Sequence, residues 1–115
     1  MQTHTANDLE LYSGMAGANA AATEISKAIN EAQAQITSRL DGIDVGRGWN
    51  DAGMGRAAKI VGEVYHETVY PVLKKHSDFG ACDTEPRYHA TQALIDAAKD
   101  KLDLVGYYSE LGDWI

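Results

Sequence analysis

The sequence predicts an all-α fold, an antiparallel helical hairpin with a third helix beside it, giving a three- to four-helix bundle. Three observations predict this. Apolar residues recur at steps of three and four over long stretches. No run of four or more residues alternates cleanly between apolar and polar, as a half-buried strand would. Glycines punctuate the chain at 42–48 and at 106, where the periodicity stops.

The first helix is expected over about 8–41. Thr5-x-x-Asp8 and Asn7-x-x-Glu10 fit capping patterns, with acids in the first turn, where the helix dipole favours them. Leu11, Met15, Ala18, Ala22, Ile25, Ile29, Ala32, Ile36 and Leu40 then mark one face. Gly14 and Gly17 each cost about 1 kcal/mol relative to alanine and make that region the place for a break. Gly42 ends the helix.

The second helix is expected over 51–76, with Met54, Ala58, Val61, Val64/Tyr65, Thr68/Val69 and Val72/Leu73 inward, and Lys74, Lys75 and His76 at the negative dipole end. Pro71 conflicts with a helix interior, where it removes a hydrogen bond and crowds the preceding turn, so a kink is expected near 67–70. The third helix is expected over 86–105. Thr84-Glu85-Pro86 is a start signal, Tyr88, Thr91/Gln92, Ile95, Ala98, Leu102 and Val105 form its apolar face, and Gly106 stops it. An acidic, aromatic tail follows at 107–115. If the hairpin turns about Gly46, Ile29 and Ile36 lie opposite Gly62 and residues 55–57, so large residues meet small ones.

A chain of 115 residues suits one domain, 1–115, and can bury about two thirds of its unfolded surface without a disulfide or a structural metal. The formal net charge is −7, and the acids dominate at both ends of the sequence. Residues 47–79 alone carry more bases than acids. Direct nucleic-acid binding needs clustered cations and is not expected; a basic protein surface is the better partner. Cys82 is the single cysteine, which suits a reducing compartment. With no export signal and no apolar run of the roughly 20 residues that span a bilayer, the expectation is a cytoplasmic protein, in its own cell or in a host's, that makes no membrane contact.

Chemical motifs are sparse. Glu63-x-x-His66 has the spacing of carboxylate-bridged di-iron bundles, but such sites need a second pair and two further glutamates, and the other inward candidates, Glu24 and Glu31, bring no second histidine. His76, Cys82 and His89 are spaced too widely for a usual zinc site. Cys82 has no activating context beyond the start of the third helix, and neither a nucleophile elbow nor a phosphate loop occurs. No cofactor, metal or catalytic residue is therefore expected. The Ala-rich helix, the glycine turn with Trp49 and the second helix resemble the helical-hairpin proteins of type VII secretion over residues 18–76. Trp49-Asn50-Asp51 lacks the glycine two after tryptophan, however, and the export signal after the second helix is missing.

What remains is surface. Trp49, Tyr107, Tyr108, Glu110, Asp113, Trp114 and Ile115 are the expected partner-binding residues, because tryptophan and tyrosine dominate interface hot spots. The reading is a non-enzymatic acidic helical inhibitor or adaptor, of a kind common among phage and mobile-element accessory proteins. The alternatives are a structural subunit of a larger particle or a small metal- or ligand-binding bundle. Wide apolar helix faces also predict a homo-oligomer, with a dimer as the simplest form.

Overall fold

A computed structural model describes Leu9, residues 11–12, 14–43 and 51–102, without the side chains of 51–54 and 84. All regular structure among the described residues is helical: α1 (Ala18–Arg39), α2 (Asp51–Val64), a π-helical turn (Tyr65–Val69), α3 (Tyr70–Lys75), a 3-10 turn (Ser77–Phe79) and α4 (Thr84–Leu102).

The first helix begins at Ala18, not near Asp8. Gly17 precedes it at φ +91°, in the left-handed region that glycine enters without strain, and a side chain at that position would meet the Phe79 ring. The segment before it folds as a strap. Leu9 is buried in the core, while Met15, expected on the buried face, is 42% exposed. At the other end Leu40 caps α1 by donating its N–H to Ile36 O, and Gly42 follows at φ +83°.

Pro71 does not break the second helix. Tyr70 N–H bonds to Tyr65 O, five residues back, so the turn ahead of the proline is widened into a π turn. In an unbroken α-helix the Pro71 ring would crowd the carbonyl four residues earlier; the wider turn relieves that contact. Pro71 itself falls in the first turn of α3.

Two cross-helix contacts set the topology. Gln33 Nε2 donates to Ala93 O at 3.0 Å, and Lys101 Nζ pairs with Asp41 at 3.0 Å. The equal spacing of these partners means that α1 and α4 run parallel. The α2–α3 helix runs antiparallel to α1, with Arg39 on Glu67 at 3.3 Å and Glu24 on Lys75 at 3.0 Å. These pairs correct the expected register. A turn about Gly46 would place Thr68 opposite Glu24, yet Lys75 and His76 stand there, about two helical turns further along. The register follows from partner chemistry and packing between the helices, not from symmetry about the loop. Gly62 is still buried, but not opposite Ile29.

The core is Ile25, Ile29, Ala32, Ile36 and Leu40 of α1, Val61, Val64, Tyr65, Val69 and Leu73 of the second helix, and Ala90, Ala93, Leu94, Ala97 and Ala98 of α4. The face of α4 is a second correction. Tyr88, expected inward, is 63% exposed, and Ile95 is only half-buried. Alanines line the seam because only small side chains let the α4 backbone come within hydrogen-bonding reach of Gln33.

Candidate interaction surfaces

The partner-binding residues expected from the sequence, Trp49, Tyr107, Tyr108, Glu110, Asp113, Trp114 and Ile115, all lie outside the described residues. The described residues offer two other surfaces.

The first is a groove between α1 and the helix that contains the π turn. It holds about 490 Å³ and is open to solvent. Ala20, Thr23 and Ala28 of α1 form one wall, and Thr68 and Val72 the other. The Thr23 hydroxyl is turned onto its own helix, donating to Asn19 O at 3.0 Å, so its methyl group adds to the apolar lining. Glu24, Lys27 and Glu31 stand along the rim. Both glutamates expected to point inward are therefore rim residues. Glu24 is engaged, accepting from Lys75 at 3.0 Å and lying 2.7 Å from His76 Nε2. These contacts, the histidine bond first, hold the Glu24 carboxyl below the ordinary glutamate range. Lys27 and Glu31 make no ion pair among the described residues.

The second surface is the end of the bundle where the strap crosses the 3-10 turn. Tyr12 N–H donates to Phe79 O at 3.1 Å, and its hydroxyl donates to Asp83 Oδ2 at 2.9 Å. That bond, together with the carboxylate's charge, raises the Tyr12 phenol above its ordinary range. Tyr12 remains 54% exposed, and Asp78, Asp83 and Glu85 are exposed on the same stretch. Phe79 lies 6.1 Å, ring to ring, from His76, which links this end to the groove.

The residues weighed for metal chemistry are not brought together. Among the described residues no three of His, Cys, Asp and Glu converge on one point. His66 is exposed and stacks edge-on to Tyr65 and Tyr70, while Glu63 lies 4.0 Å from Arg39. The stripe of Lys59, Glu63, His66, Glu67, Tyr70 and Lys74 is exposed throughout. Cys82 is a half-buried free thiol, and His89 is half-buried as well. Among the described residues no helix is long and apolar enough to cross a membrane.

The groove had a signal in the sequence that the core pattern masked. Ala20, Thr23 and Ala28 lie beside the isoleucine face of α1 and give it a second face of small residues. The strap contacts had none, since Tyr12 and Asp83 are far apart in sequence. The chain matches no family model, no curated protein and no solved structure.

Proposed function

We propose that this chain is a non-enzymatic interaction protein, an adaptor or inhibitor that binds a basic surface of another protein through the strap end of the bundle. The observation that carries the reading is the half-exposed Tyr12 ring, tied to Phe79 O and to Asp83 on a stretch that also carries exposed Asp78 and Glu85. Carboxylates draw in a cationic surface, and an anchored aromatic ring can then bury against the aliphatic stems and charged heads of lysine and arginine. The net charge of −7 adds long-range steering of the same sign. Several bases are already spent inside the fold, because Arg39, Lys75 and Lys101 sit on Glu67, Glu24 and Asp41.

The test is affinity capture from the native host with full-length protein, repeated with Asp78→Lys/Glu85→Lys. Both positions are exposed, so the fold should survive. The reading requires a captured protein with a basic face, released as salt rises and lost with the double variant. Capture that ignores both salt and the charge reversal would refute it.

A further inference from the structure

The groove between α1 and α3 is separate from the strap end, and its rim is informative. Glu24 already has Lys75 and His76, which leaves Lys27 and Glu31 as the α1 rim charges without an ion partner among the described residues. They lie one helical turn apart on the same exposed edge, one cation and one anion. A uniformly basic or acidic helix laid in this groove would satisfy one of them and repel the other. A reversed copy of the same edge satisfies both. When two identical helices pack antiparallel about a two-fold axis level with Ile29, Lys27 of each meets Glu31 of the other.

The small lining completes the match. Ala20, Thr23 and Ala28 let a second helix approach closely, and Thr68 and Val72 supply the opposite wall. We infer that the groove is a self-association seat, in which α1 of each copy lies antiparallel in the α1–α3 groove of the other, held in register by reciprocal Lys27–Glu31 pairs. The occupant is a second copy of this chain, and the apolar lining supplies the contact area while the charges choose orientation.

The experiment is sedimentation velocity of the full chain over a concentration series, with Lys27→Glu and Glu31→Lys measured alone and mixed. Each variant alone opposes like charges twice across the two-fold axis, so its self-association should weaken by about tenfold or more. An equimolar mixture of the two places opposite charges at both contacts and should restore a one-to-one dimer of near wild-type affinity. A change confined to one helix cannot produce that rescue, because each chain in the mixture keeps its own substitution. Circular dichroism melts of the three proteins check that the exposed substitutions leave the fold intact. A wild-type chain that stays monomeric at every concentration overturns the inference, as does a dimer indifferent to both reversals, or a mixture that fails to recover. None of these results bears on binding at the strap end, which does not include either residue.

Discussion

Glu24 shows what one residue does in this fold. Its carboxylate joins α1 to the end of α3 through His76 and Lys75, and those contacts depress its pKa. A group whose folded pKa lies below its unfolded one contributes stability above the unfolded value, and that contribution is lost as pH falls through the folded value. The expected outcome is a melting temperature that drops as pH is lowered from the ordinary glutamate range of about 4.3. In Glu24→Gln the neutral-pH melting temperature should start lower and the acid slope should be shallower; parallel melting curves for the two proteins across that range would contradict this. Ser26 offers a second test at this scale. Its hydroxyl oxygen is buried in α1 without a hydrogen-bond partner among the described residues. Ser26→Ala removes an unmet polar group and improves helix propensity, so thermal melts should show no loss, and a gain of up to about 1 kcal/mol.

At the scale of elements, the spacing of apolar residues was enough to read the helices and the inward face of the first two, because Ile25, Ile29, Ile36, Val61, Val69 and Leu73 have no other use than burial. It was not enough for α4. There Ala90, Ala93 and Ala97 were outweighed in the pattern by larger residues, Tyr88 and Ile95, that the fold turns aside. Register was equally hidden, since it depends on which charges meet across the hairpin. Gly62 illustrates the difference between a right position and a wrong reason: it is buried, although the register set by Arg39–Glu67 and Glu24–Lys75 does not put it opposite Ile29. Gly62→Leu should therefore still overpack the interior and cost about 1–3 kcal/mol despite better helix propensity. A raised melting temperature would mean that the site has room for the side chain.

For the whole molecule, the seam between α1 and α4 decides how the bundle closes. Parallel helices cannot be joined by a short turn, so the α2–α3 helix makes the return journey, and the chain reads up, down, up. Gln33 crosses this seam and donates to Ala93 O from a site that is 2% exposed. Gln33→Ala loses that bond and opens space along the alanine face. The expected cost is about 2–4 kcal/mol, read as a lower midpoint in denaturant titration with unchanged slope. An unchanged midpoint would show that α4 is held without it. The candidate surfaces belong to this scale too. Both arise between elements distant in sequence, the groove from α1 and α3 and the strap end from Tyr12 and Asp83. No window along the chain contains either of them.

The π turn at Tyr65–Val69 has an arithmetical consequence for the chain. It spends one residue more than an α turn over the same arc, and that surplus is taken up within the turn itself. Deleting one exposed residue there, His66, would let the backbone settle into an ordinary α ladder over the same arc, so α3 would keep its phase, with Leu73 in the core and Lys75 and His76 beside Glu24. The cost of the deletion falls instead on Pro71, whose ring would again crowd the carbonyl four residues earlier, at about 3 kcal/mol. His66→Ala should melt close to wild type, whereas the single deletion should melt lower but still cooperatively, and Pro71→Ala in the shortened chain should recover most of the loss. A deletion that abolishes cooperative unfolding, or a loss that Pro71→Ala leaves unchanged, would contradict this.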